Sequence, residues 1–342
     1  MASEFVQRGI STTVVGPKVP EAISYGDFGE RVINVASTPS VPGGLQPLVQ
    51  SRVWWSAARV IRCLASEIDV VLLMACVTSA LGLRTAMLKG LGRRPLVLYV
   101  TGLGRPRVGY RLGLSANRIL IGSEFLQQWF PGAGIIYPFL SVSMKLDETE
   151  MSEQDGDGVF KVLCLGSLEP GRGVEYLLRA MALVRKQVDD RAKLIIAWNG
   201  KGGRNYQNIQ RLIDELDIRG IVDWRGRVNV SSLYRESDVV VIPRATEERM
   251  SFPVRIVEAL HMRKPVIVSR ICGMEGLVEG CGLAVKPRDA GSLARAILDL
   301  AHNTALREQL AENCTQVVRR FDSRVSLDRL ISELRKVASD GR

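Results

Sequence analysis

Three glycines and an arginine stand close together in the run LGSLEPGRGVEYLLRAM, Leu165 to Met181: Gly166, Gly171, Gly173 and Arg172. The apolar run Lys161–Leu165 precedes them, and apolar positions at helical spacing follow from Val174, so the glycines occupy a strand-to-helix turn. Such a turn has the chemistry of an anion site. The first N–H groups of a helix lack partners, and they carry the positive end of the helix dipole. Glycine lets a ligand come close to the backbone, and arginine offers phosphate oxygens a fixed fork of donors. The segment Met250-Ser251-Phe252-Pro253-Val254 leads into a second helix, Val254–Met262, and presents another helix N-terminus. The alternative for Arg172 is a surface ion pair, and for Glu258, inside the second helix, a local cap or salt bridge.

Other chemistries are poorly supplied. The two histidines, His261 and His302, lie on expected helices and read as surface or packed residues. No histidine precedes the middle of the chain, which excludes an imidazole base there. None of the six cysteines forms a C-x-x-C pair, so no zinc pattern exists. They read as reduced core thiols of a cytoplasmic protein. Asp155-x-Asp157 reads as a solvated turn rather than a metal pair. The charge is +10 overall and uneven: from Val70 to Ser123 there is no acid, but there are Arg84, Lys89, Arg93, Arg94, Arg105, Arg107, Arg111 and Arg118. That field favours an anionic partner, such as a lipid surface or a phosphorylated substrate; a solvated basic face is the alternative. Nucleic acid is not expected, because no recognition motif or aromatic stacking pattern accompanies the charge.

These residues need a scaffold. At 342 residues the chain fits two domains of ~150 residues each. Strand-like and helix-like segments alternate, the pattern of parallel α/β sheets. Strands are expected at Thr12–Val15, Val32–Val35, Asp69–Leu73, Leu96–Val100, Arg118–Ile121 and Gly134–Tyr137, with a helix over Leu48–Ala65. In that helix Arg52, Arg59 and Arg62 lie beside Trp54 and Trp55, which suits either a membrane surface or packing between domains. Lys145 to Gly158 reads as the linker. Beyond it, strands are expected at Lys161–Leu165, Lys193–Trp198 (ending in Asn199-Gly200), Ile221–Trp224, Val239–Ile242 and Pro265–Ser269. Helices are expected at Arg204–Leu216, Val254–Met262, Ala290–His302, Thr304–Arg319 and Arg324–Val337.

Three segments together resemble the group 1 (family four) retaining glycosyltransferases of GT-B architecture: LGSLEPGRGVEYLLRAM, WRGRVNVSSLYRESDVVVIPR (Trp224–Arg244) and MSFPVRIVEALHMRKPVIVSRICG (Met250–Gly273). The similarity spans about Val159 to Phe321. Gly166, Leu168 and Gly173 match the family's G-R-L-x-x-x-K-G turn; Arg172 replaces its lysine and Ser167 its arginine. Gly226-Arg227-Val228 matches its G-R-V. Glu258 matches the second of two glutamates eight positions apart, Met250 stands at the first, and Pro253 replaces a glycine.

The resemblance implies two doubly wound, Rossmann-like parallel-sheet α/β domains facing a cleft. Residues 1–145 would form the acceptor-side domain, residues 159–322 the nucleotide-sugar domain, and residues 323–342 a helix crossing back. The first strand of the first domain has no counterpart, and Ala2–Gly9 reads as the end of the helix that normally follows it. Arg172 and Glu258 are the implied catalytic residues, Arg172 holding the departing diphosphate and Glu258 the ribose. Gly166, Ser167, Gly171, Gly173, Asn199, Gly200, Arg227, Val228, Met250, Ser251, Phe252, Pro253 and Val254 are the implied donor-binding residues. The expected activity is retaining transfer from a nucleotide-diphosphate sugar to a lipid-linked or glycan acceptor, with no metal and no cofactor. A non-catalytic partner subunit that binds nucleotide sugar or lipid is the alternative. The expected location is cytoplasmic, with peripheral attachment to the inner membrane face left open.

Overall fold

The computed structural model describes residues 2–17, 31–35, 46–77, 85–86, 88–90, 94–103, 115–137, 158–198, 202–226, 229–247 and 252–340. The chain forms two compact units. One is Met1–Tyr137 with Leu327–Arg342, and the other is Pro138–Ser326.

The second unit alternates strand and helix: β7 (Phe160–Leu165), α3 (Val174–Val188), β8 (Ala192–Ala197), α4 (Arg204–Glu215), β9 (Val222–Arg225), α5 (Val230–Glu236), β10 (Val239–Ile242), α6 (Val254–His261), β11 (Val266–Ser269), α7 (Met274–Leu277), β12 (Gly282–Val285), α8 (Ala290–His302) and α9 (Thr304–Val317). The six strands form one parallel sheet in the order β12-β11-β10-β7-β8-β9. This is the doubly wound order. The chain runs outward from β7 to one side, then returns to β10 and runs outward to the other. Strands buried on both faces read as continuous apolar runs, and Val239, Val240 and Val241 of β10 are at most 1% exposed. Leu177, Leu178, Met181 and Val184 of α3 are buried against the sheet. At roughly 1.5–3 kcal/mol for each large side chain, that face fixes the helix far more firmly than its uncapped N-terminus could. Strand β12 and helices α5 and α7 were not expected from the sequence.

The first unit holds α1 (Ala2–Gln7), β1 (Thr13–Pro17), β2 (Arg31–Val35), α2 (Gln46–Cys63), β3 (Val71–Val77), β4 (Leu96–Leu103), β5 (Arg118–Ile121) and β6 (Gly134–Ile135). Its parallel strands form two sheets, β1-β2 and β3-β4-β5-β6. In the second unit β7 joins the two halves of the sheet. Among the described residues of the first unit, no strand does so between β1 and β3. Helix α2 packs on β1 and β2, and its Ala58 and Ile61 share a buried cluster with Leu73, Leu96 and Leu98.

The C-terminal helix α10 (Ser323–Asp340) ends in the first unit. Arg118 Nε donates to Glu333 Oε2 at 2.7 Å, and Arg8 pairs with Asp328. Leu327, Leu330, Ile331 and Leu334 are buried at helical spacing; Val325, expected from the sequence on the same apolar face, is 65% exposed and lies off it. A second correction concerns the thiols. Cys164, Cys272, Cys281 and Cys314 are buried and free, whereas Cys63 is exposed at the end of α2. Among the described residues no helix is long and apolar enough to cross a membrane. The expected linker, apart from Gly158, lies outside the described residues, as does the Asp155-x-Asp157 pair.

Candidate functional site

In an open α/β sheet, ligands bind beyond the carboxyl ends of the strands where the winding reverses. Here that point lies between β7 and β10. A pocket opens there, with Cys164, Leu165, Gly166, Ser167 and Leu168 on one side and Val241, Ile242, Pro243 and Arg244 on the other. Arg172 and Val174 line it from the glycine turn and the start of α3, and Phe252, Pro253, Val254 and Arg255 from the start of α6. The turn is held by its glycines. Gly173 has φ 80, and a Cβ there would stand 1.5 Å from the Pro243 carbonyl oxygen. At Gly171 a Cβ would stand 2.5 Å from Thr246 Oγ1. The Ala245 N–H donates to the Gly171 carbonyl at 3.0 Å. The close approach expected at these two glycines is therefore made by the chain's own 243–246 segment. Gly166, at φ 133, has nothing within 4 Å of such a Cβ and is the one of the three left open.

The lining is cationic. Among the described residues its charged side chains are Arg172, Arg244 and Arg255, without a carboxylate or an imidazole. The guanidinium of Arg244 is held below the usual arginine range, first by burial and then by Arg172 nearby. Cys164 also lines the pocket, but burial pushes its thiol up to about 12, so it supplies no thiolate at neutral pH. The hydroxyl of Ser167 is buried with no hydrogen-bond partner.

Glu258 lies deeper. It is 2% exposed and does not line the pocket. Its Oε2 accepts from Tyr234 Oη at 2.6 Å and from Arg255 Nη1 at 2.5 Å. Burial first, and then the Glu258 charge, push the Tyr234 phenol well above its ordinary value, so it stays a donor.

The structure thus brings Gly166, Ser167, Arg172, Phe252, Pro253 and Val254 to one pocket, with Gly171 and Gly173 in its wall and Glu258 behind it. Asn199, Gly200, Arg227, Val228, Met250 and Ser251 lie outside the described residues. The strands leading toward the first two pairs, β8 and β9, end at Ala197 and Arg225. Arg244 and Arg255 were not singled out as site residues. Arg244 had one legible sign, its place directly after the Pro243 that closes β10.

Residues 159–303 match the family described as Glycosyl transferases group 1. A phosphatidyl-myo-inositol mannosyltransferase of Mycobacterium leprae is 30% identical over 185 residues, covering 53% of this chain and 47% of that protein. The chain spans half or less of the length of the first curated relatives it matches. Among solved structures, a glycosyltransferase from Rickettsia africae has a TM-score of 0.80 at 15% identity, covering 98% of this chain and 92% of that one. Anabaena Alr3699/HepE, solved in complex with UDP and glucose, has a TM-score of 0.69 at 22% identity, covering 90% and 86%. The fold is GT-B, with two parallel-sheet α/β units.

Proposed function

From the match of residues 159–303 to the group 1 glycosyltransferases, we propose that the chain binds a nucleotide-diphosphate sugar and transfers the sugar, with retention, to a lipid-linked or glycan acceptor. The observation that carries this reading is the pocket at the sheet's switch point, lined among the described residues by three arginines and no acid. A donor diphosphate brings about two negative charges, and the bond to the sugar breaks as charge builds on the leaving phosphate. Arg172 and the start of α3 supply compensating positive charge. The leaving oxygen can take the acceptor proton on the same face, so neither a histidine base nor a metal has to enter the reaction. UDP and glucose bound to the HepE structure, and the inositol lipid in the name of the mycobacterial relative, support the donor and acceptor classes.

A thermal-shift panel with UDP, GDP, ADP and their sugars tests the reading. At ligand concentrations about 100 times Kd, binding stabilises the native state by ~2.7 kcal/mol. At least one diphosphate should raise the melting temperature; a flat panel contradicts the reading. Arg172→Ala should weaken the binding of that diphosphate by ~1.5–3 kcal/mol, the worth of a charge-assisted hydrogen bond, as read by titration calorimetry.

A non-catalytic, nucleotide-sugar-binding subunit is the second reading, favoured by Ser167 and Met250 at positions where the family carries an arginine and a glutamate. It predicts binding in the panel without turnover of any sugar donor.

The basic stretch with α2 supports attachment to an anionic membrane. Trp55 is 50% exposed, with the Arg59 guanidinium 4.9 Å from its ring centroid, and Lys89 is exposed. Flotation should show binding to anionic vesicles that fades with salt over the range where the Debye length falls from ~10 Å to ~3 Å. Equal recovery with neutral vesicles would count against attachment by charge.

A further inference from the structure

We propose that Arg244 is a second cation for the donor diphosphate, acting beside Arg172 in a pocket where residue 167 carries no charge. The inference rests on the reading of this pocket as a nucleotide-diphosphate site. Pro243 and Arg244 directly follow β10, so they stand at the carboxyl end of a strand bordering the switch point. The 243–246 segment is fixed there from several sides. Gly173 packs on the Pro243 carbonyl, the Ala245 N–H donates to Gly171, and Arg288 Nε donates to the Ala245 carbonyl at 2.9 Å. Arg244 Nε donates to the Thr246 carbonyl at 3.1 Å, which sets the plane of its guanidinium.

The result is an arginine only 4% exposed that lines the same pocket as Arg172. Arg172 is only half-buried, but its charge bears on Arg244 and lowers that guanidinium's hold on its proton, and an anion between two such cations relieves the repulsion. The Cys272 thiol and the exposed Glu169 favour the charged form of Arg244; burial pushes that thiol up to about 12, so Glu169 is the one of the two charged at neutral pH. A diphosphate in the pocket would meet both guanidinium forks. A separate observation points to the same ligand. The Ser167 hydroxyl lines this pocket, buried and without a partner, and buried polar atoms are rarely left so unless a ligand or water completes them. A phosphate oxygen is an acceptor for it.

The test is titration calorimetry of the full chain with UDP, GDP and ADP. Arg244→Met should weaken the tightest of the three by about 10- to 100-fold. Adding Ser167→Arg, which returns a cation to the pocket by another route, should recover most of that loss; a purely structural role for Arg244 would not be rescued this way. If Arg244→Met does not fold, Arg244→Lys takes its place. It keeps a charge but loses the fork, and should bind about three- to tenfold more weakly at an unchanged melting temperature. Affinity equal to the parent's in Arg244→Met, or in Arg244→Lys where it must substitute, overturns the inference. If Arg172→Ala still loses affinity, the reading of the pocket survives that failure. If the parent binds none of the three nucleotides, the reading fails and the inference with it.

Discussion

Gly173→Ala should cost this protein about 3 kcal/mol or more of stability, and should disturb the candidate site as it does so. Two effects add. The residue sits at φ 80, in the left-handed region that alanine adopts at a cost, and its new methyl carbon would fall 1.5 Å from the Pro243 carbonyl oxygen. The clash is with backbone, so no rotamer relieves it. Either the glycine turn or the end of β10 must shift, and overpacking of this kind costs about 1–3 kcal/mol beyond the φ strain. Both are walls of the pocket. Urea unfolding measures the stability loss. Gly202→Ala is the control, because a Cβ there meets nothing within 4 Å, and it should change stability by less than about 0.5 kcal/mol. A Gly173→Ala protein as stable as the parent would mean that the turn and the 243–246 segment are not in contact.

Glu258→Ala should cost about 2–4 kcal/mol. The carboxylate is buried and accepts from two side chains in different states of exposure. Arg255 is 41% exposed, so once released it can turn to water, and its share of the loss is small. Tyr234 is fully buried, and its hydroxyl would lose the charged partner at 2.6 Å, keeping only a long contact to the Arg255 carbonyl at 3.5 Å. Tyr234→Phe removes the same bond but leaves the carboxylate in place, and should cost only about 1 kcal/mol. The pair of variants also separates structure from binding. If Glu258 holds the donor ribose, Glu258→Ala weakens nucleotide binding and Tyr234→Phe does not. If its role is confined to the Tyr234–Arg255 network, neither variant changes affinity.

The second unit was largely legible because its signals are local. Val239-Val240-Val241-Ile242 closed by Pro243, and the glycine turn before Val174, announce a strand and a strand-to-helix turn without reference to anything distant. Strand β12 escaped because Gly282-Leu283-Ala284-Val285 is short and begins with a glycine. That glycine is needed because a Cβ would stand 2.2 Å from the Val266 carbonyl, a fact about its neighbour in the sheet. The roles of Gly171 and Gly173 escaped for the same reason. Their spacing announced a close approach, but not that the approaching group is the chain's own Pro243–Thr246. Glu258 shows the limit most clearly. Its helix and position were readable, whereas its bond to Tyr234, 24 positions earlier on another helix, has no periodic trace. In the first unit each strand from β1 to β6 was near its expected place, but the separation into two sheets depends on pairing, which no single strand's sequence records.

The pocket between the ends of β7 and β10 is proposed to receive a nucleotide's diphosphate. A crystal structure with the nucleoside diphosphate that most raises the melting temperature tests this directly. The two phosphates should lie beside Gly166 and Ser167, with Arg172 in hydrogen-bond contact. A nucleotide bound with its phosphates elsewhere, or this pocket unoccupied at saturating ligand, would contradict it.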